Sequence, residues 1–283
     1  MLTSVHKSVA QGTNFIIKNV EFESEGVTLK GTIFNPKKPH AALIVVHGSG
    51  QEKRMMQFAS LLANHGMMVL TYDKRGVGES SGIYAGPEVG TNNIDSANLN
   101  LLARDASAAV NLLLKHLPAK HIPVGLIGYS QAGWIIPIAA EKNSKVNFMV
   151  LFSGPVVTAR EQLRFQFFTQ GKSDFWDLHT ESESRNHIKN DPDKYQFIDT
   201  NPRDALSKLS IPGLWLFGAK DVQVPAKLSI EHIEEFKSVN KLYEYRLFPA
   251  LGHNTTFEAS QEPFNEAIKW IKDLENKKPS NKN

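Results

Sequence analysis

Five short, nearly uninterrupted apolar runs constrain this chain more than anything else in it: AALIVV (41–46), MMVLTY (67–72), IPVGLIG (122–128), VNFMVLF (146–152) and GLWLFG (213–218). A strand that is apolar on both faces must be covered by helices on both sides, which is the condition of a parallel sheet. LYEYRLF (242–248) reads as the last strand of the set. Helical patterns fall between the runs: Arg54 to His65, 96 to 116, Ser130 to Asn143, Pro225 to Lys237 and Glu258 to Asn276. The second of these repeats Leu99, Leu102, Ala106, Val110 and Leu113 at three- and four-residue spacing, with Asp95 or Ser96 placed to cap it. Strand and helix in alternation imply right-handed crossovers in a doubly wound sheet. Ahead of it, NFIIKNVEFES and VTLKGTIFNP alternate apolar with polar residues around Glu25-Gly26, the pattern of an antiparallel pair with one wet face. The expected fold class is α/β, a doubly wound, mostly parallel sheet with an antiparallel N-terminal pair.

One region breaks the rhythm. From Pro155 to about Ser210, some 55 residues lie between two strands without a strand signal of their own. They are polar, helical in propensity and dotted with aromatics. A structureless loop of that length does not suit a compact domain, so a small helical cap is expected at about 155–210. It follows a strand, on the side where α/β sheets bind ligands. Its aromatics Phe165, Phe167, Phe168, Phe175 and Trp176 can line a substrate pocket or form the insertion's own core, and some can do both. The whole chain, 1–283, reads as a single domain with a disordered Pro-, Asn- and Lys-rich tail at about 277–283.

Composition removes several function classes. The net charge is only +3, with basic residues scattered among nearly as many acidic ones, so nothing points to nucleic acid. No apolar run approaches a membrane span, and the N-terminus lacks a signal-peptide core; the simplest reading is a soluble cytoplasmic protein, with or without a removed leader. The absence of cysteine rules out disulfides, thiolate metal sites and a cysteine nucleophile, and is compatible with any redox compartment. Ten dispersed histidines show no H-E-x-x-H or comparable spacing, and no phosphate loop occurs, so neither metal nor cofactor is expected. The glycines of DKRGVGESSG (73–82) faintly echo a dinucleotide loop, but the spacing is wrong and no helix starts there. Asp73 and Arg75 are better explained as braces of a turn.

The remaining signal is GYSQAG (128–133), small residues around Ser130 between a buried strand and a helix. Alone, it is as well explained by a plain turn. A serine hydroxyl gains nucleophilicity only from a neighbouring base, and that base from an orienting carboxylate. Asp221 in GAKDVQVP and His253 in ALGHNTT each stand just past a later strand, and parallel strands deliver such loops to one sheet edge. Singly, each has a bland explanation as a capping or loop residue. In order, each past its own strand, the three read as a catalytic triad.

Together with HGSG (47–50) and DKRGVGES (73–80), these motifs resemble the α/β-hydrolase superfamily, in its esterase-like branch, and they span most of the chain in the order serine, acid, histidine. One departure is visible: Ala132 stands where the usual G-x-S-x-G elbow has its last glycine, and Gly133 follows. The resemblance implies that the backbone N–H groups of Ser49 and Gln131 form the oxyanion hole, with His47 structural. It further implies a hydrolase cleaving a carboxylic ester of a small or medium acyl substrate with water, through an acyl-enzyme. A thioesterase, amidase or acyltransferase on the same triad remains open, as does a binding protein of hydrolase fold that captures a small ligand without turning it over. The oligomeric state is not legible.

Overall fold

The computed structural model describes residues 14–86, 93–256 and 260–276, so the expected tail at 277–283 and the expected helix start at Glu258 lie outside the described residues. Its centre is an eight-stranded sheet. The antiparallel hairpin comes first, β1 (Phe15–Ser24) and β2 (Val27–Pro36), in register from Phe15↔Pro36 to Ser24↔Val27. Its two-residue turn has Glu25 at φ +50° and Gly26 at φ +75°, the left-handed pair whose twist matches that of the strands. There follow β3 (Ala41–Val46), α1 (Met56–Asn64), β4 (Met67–Tyr72), α2 (Ser96–His116), β5 (Val124–Tyr129), α3 (Ala132–Lys142) and β6 (Phe148–Phe152). The sheet order is β1-β2-β4-β3-β5-β6-β7-β8, with β7 (Gly213–Gly218) and β8 (Tyr243–Phe248) at the far edge. Every pairing is parallel except β1 with β2 and β2 with β4.

The apolar runs do what two-faced strands must. Along β3, Ala42, Ile44 and Val46 enter one core while Ala41, Leu43 and Val45 enter the other. The first core takes α2, α3 and α8 (Ala226–Ser238); the second takes α1 and α9 (Gln261–Asn276), with Phe58, Phe264 and Trp270 among its large side chains. Each such side chain contributes roughly 1.5–3 kcal/mol on burial. Asp95 caps α2, accepting from the Ala97 amide at 2.8 Å.

Between β6 and β7 stand four short helices: α4 (Ala159–Thr169), α5 (Phe175–Leu178), α6 (Glu181–Asn190) and α7 (Pro202–Lys208). α4 and α6 both begin with capping boxes, Thr158 with Glu161 and Thr180 with Glu183. Phe165, Phe175 and Ile188 form a small core of their own, with Phe168 and Trp176 packed against it. Two hydrogen bonds tie this insertion to the loop after β7: Trp176 Nε1 donates to the Asp221 carbonyl at 2.9 Å, and Thr169 Oγ1 to the Val222 carbonyl at 2.6 Å. Among the described residues, no helix is long and apolar enough to cross a membrane.

Candidate active site

The site is built where β5 turns into α3. Ser130 occupies that turn at φ +52°, a left-handed conformation that costs a non-glycine residue about 1–3 kcal/mol and persists only where its surroundings enforce it. Here they do: its amide donates to the Phe152 carbonyl of β6 at 3.0 Å, and its carbonyl accepts from Gly133 at 2.8 Å. The flanking glycines have steric causes. A Cβ on Gly128 would lie 2.5 Å from the Val46 carbonyl oxygen and 2.6 Å from Ala132 Cβ; one on Gly133 would lie 2.5 Å from the Pro155 nitrogen. The glycine the elbow requires on its helical side is therefore Gly133, where the chain leaving β6 crosses α3. Ala132 fits because Gly128 makes room for it.

Asp221 follows β7 and is buried. Its Oδ1 accepts the amides of Gln223 at 2.7 Å and Val224 at 2.8 Å, which leaves Oδ2 for the histidine. His253 follows β8, with Nδ1 2.8 Å from Asp221 Oδ2 and Nε2 3.0 Å from Ser130 Oγ. The two loops meet because Gly218 has no side chain: a Cβ there would lie 2.0 Å from the Gly252 carbonyl oxygen. Behind the histidine, Thr255 is fully buried; it donates to the Leu216 carbonyl at 3.1 Å and so accepts from Ser153 Oγ at 2.8 Å. This clamp between the histidine loop and the sheet is not legible beforehand, because a threonine after Gly-His carries no pattern.

Ser49 and Gln131 line one cavity with Ser130, and among the described residues neither backbone N–H has an acceptor in the protein. Gln131 also sits at the N-terminal end of α3, where the unbonded amides give a positive potential. Lys74, in the motif after β4, is the residue that sequence reasoning passed over. It is buried, and Nζ reaches the Gly48 carbonyl at 2.6 Å, Gln131 Oε1 at 3.2 Å and the Gly50 carbonyl at 3.4 Å. All three are acceptors, as an ammonium requires. The Gly48 carbonyl and the Ser49 amide belong to the same peptide unit, so the lysine grips the group whose N–H faces the cavity. Glu52 holds the preceding amide, Gly48 N–H to Oε2 at 3.0 Å, and Tyr84 Oη donates to the Ser49 carbonyl at 2.9 Å.

His47 stays out of this chemistry. It packs edge-on against Tyr72, ring centroids 4.8 Å apart, and burial, reinforced by Lys74, holds its pKa down to about 3. Of the two residues expected to brace a turn, Asp73 does so, accepting from the Glu79 amide at 3.0 Å and the Arg54 guanidinium at 2.9 Å. Arg75 instead turns inward to Asp105 of α2, Nε to Oδ2 at 3.0 Å. Burial raises the Asp105 pKa, with the arginine opposing.

Two cavities meet at the serine. The larger, about 450 Å³, lies beneath the insertion and is lined by Trp134, Gln162, Leu163, Gln166, Phe167 and Tyr195 among others. The smaller, about 290 Å³, is lined by Glu52, Met55, Tyr129, His253, Asn254 and Thr256. Ser49, Ser130 and Gln223 border both. Among the described residues no group of three His, Asp or Glu side chains is placed to hold a metal ion.

An eight-stranded sheet of this order, with a serine on the β5–α3 turn and a histidine-carboxylate pair past its last strands, defines an α/β hydrolase. The family described as serine aminopeptidase, S33 (Hydrolase_4) matches residues 37–203, and the chain belongs to it. Esterase EstD of Thermotoga maritima is 27% identical over 238 residues, 73% of this chain and 54% of that protein, so the chain spans about half the length of this relative. Among solved structures, the Pyrococcus furiosus esterase Pf2001 aligns over 94% of this chain and 95% of its own with TM-score 0.66 at 20% identity. The acylaminoacyl peptidase of Pyrococcus horikoshii aligns over 94% of this chain and 42% of its own, with TM-score 0.64 at 15% identity. At these identities the structural likeness speaks for the fold alone.

Proposed function

We propose that the protein is a serine hydrolase of carboxylic esters with small or medium acyl groups. The observation that carries this reading is the continuous hydrogen-bonded line from Asp221 through His253 to Ser130, ending where two cavities meet. Ser130 Oγ attacks the ester carbonyl while His253 Nε2 takes its proton. Asp221 fixes the tautomer through Nδ1 and stabilises the imidazolium. The oxyanion that forms is met by the Ser49 and Gln131 amides, at the positive end of α3. His253 then protonates the leaving alkoxide, and water, activated by the same imidazole, releases the acid and regenerates Ser130. The insertion at 155–210 serves as a cap over the larger cavity. A relative carrying the name esterase supports the ester reading.

The test is turnover of p-nitrophenyl acetate together with stoichiometric labelling by a fluorophosphonate. Both should vanish in Ser130→Ala, with hydrolysis down by at least about a thousandfold. Turnover that survives the substitution undiminished would overturn the mechanism. Silence toward both reagents, with ligand binding still measurable by calorimetry, would instead identify a binding protein.

A further inference from the structure

Chemistry assigns the two cavities to the two halves of an ester. The general acid must reach the leaving oxygen, and His253 lines the smaller cleft but not the larger cavity. An alcohol leaving through the cleft beside Asn254 and Thr256 would stand next to that acid, with the acyl group in the cavity beneath the insertion. What that cavity offers is uneven. Trp134 presents only its ring, since its N–H is spent on the Val157 carbonyl at 2.9 Å. The Gln131 amide is equally committed, with Lys74 on its oxygen at 3.2 Å and its nitrogen on the Asn93 carbonyl at 2.6 Å.

Gln162 is different. It stands on α4, is only 4% exposed, and lines the acyl cavity. Its Oε1 is buried without a hydrogen-bond partner. Buried amides are almost always paired, and leaving one unpaired is destabilising. A ligand that supplies the partner removes that penalty on binding. Gln166, one turn later on α4, lines the same cavity, so two amides face the acyl group from one helix.

We propose that Gln162 is a specificity-determining residue, and that the preferred substrates are esters whose acyl group is uncharged, carries an apolar or aromatic body, and bears a hydroxyl or amide that bonds the Gln162 side chain. The proposal rests on the serine-esterase reading and sharpens it: plain alkyl acyl groups fill the same space but leave the amide unpaired. A site built to hydrogen-bond a substrate group discriminates against the isostere that lacks it.

The experiment compares two p-nitrophenyl esters with one leaving group and isosteric acyl groups, 3-(4-hydroxyphenyl)propanoate and 3-(4-methylphenyl)propanoate. A parallel aliphatic pair, 6-hydroxyhexanoate and heptanoate, moves the hydroxyl. The wild type should favour the hydroxylated member of at least one pair by about tenfold in kcat/KM. Gln162→Met keeps the volume and removes the amide; the preference, read as the ratio of the two kcat/KM values within each pair, should fall to unity or reverse. A wild type that hydrolyses the methyl member of both pairs equally well or better overturns the proposal by itself, even if the variant does not fold. So does a folded Gln162→Met that keeps the hydroxyl preference. Failure of the esterase reading looks different: no ester of either pair turns over, and Ser130 is not labelled by fluorophosphonate.

Discussion

Lys74→Met tests the part of the proposed mechanism that is least visible from the triad. The substitution keeps the length of the side chain and removes one positive charge from behind the Gly48–Ser49 peptide, where Nζ lies 2.6 Å from the Gly48 oxygen. Peptide dimensions and an ordinary N–H···O bond place an oxyanion held by Ser49 at roughly 7 Å from that ammonium. At an effective dielectric constant of about 20, a unit charge at that distance stabilises the anion by about 2.4 kcal/mol. The neutral ester carbonyl of the ground state gains far less. Lys74→Met should therefore lower kcat by about fiftyfold with KM within about twofold, the pattern of an interaction realised in the transition state. The assay is p-nitrophenyl ester hydrolysis on the pH plateau, with the acylation burst resolved by stopped flow and urea unfolding run alongside. A variant that is folded and keeps kcat within threefold refutes the electrostatic argument. A loss confined to KM refutes it equally, since it would mean that the lysine shapes the cavity and does not act on the charge.

Three further outcomes follow from the packing. His47 is neutral in the fold, so the unfolded chain binds more protons below about pH 6.5, and stability drops as pH falls toward about 3. Between pH 7 and 5 this one group should remove about 2 kcal/mol that His47→Gln retains, measured as the difference between their urea unfolding free energies at the two pH values. Gly133→Ala should cost about 3 kcal/mol and lower kcat as well, because its Cβ would lie 2.5 Å from a backbone nitrogen that cannot give way. Ala132→Gly, at the position where the usual motif has its glycine, should cost only about 1 kcal/mol, read from the same unfolding curves.

The sheet was legible because burial on both faces leaves an unmistakable mark: Ala41–Val46 has no polar residue to signal an exposed side, and all six of its positions are buried. The order of strands was not, since the antiparallel pairing of β2 with β4 depends on how the N-terminal hairpin lies against the sheet, and nothing local records it. Ser130, Asp221 and His253 could be singled out because each follows its own strand. Lys74 could not. A lysine between Asp73 and Arg75 reads as solvated surface, and its burial follows only once the loops at 48–50 and 131 close over it. Arg75 was legible as a residue with structural work but not in its partner, because Asp105 sits on the apolar face of α2, where a carboxylate is unexpected. Gln162 gave no signal at all: an amide left over is a property of everything around it.

The hydrogen bonds from Trp176 and Thr169 to the carbonyls of Asp221 and Val222 link the insertion between β6 and β7 to the segment that carries Asp221. The insertion is thus not an interchangeable part. Replacing it with a segment that lacks Thr169 and Trp176 would cut both links and free the Asp221 loop, and on the proposed mechanism turnover would fall with them. On the roles proposed above, Gln162 would set selectivity from α4 without taking part in either of these two bonds. New specificities on this scaffold are accordingly most accessible by point changes along α4, with the 169 and 176 anchors kept.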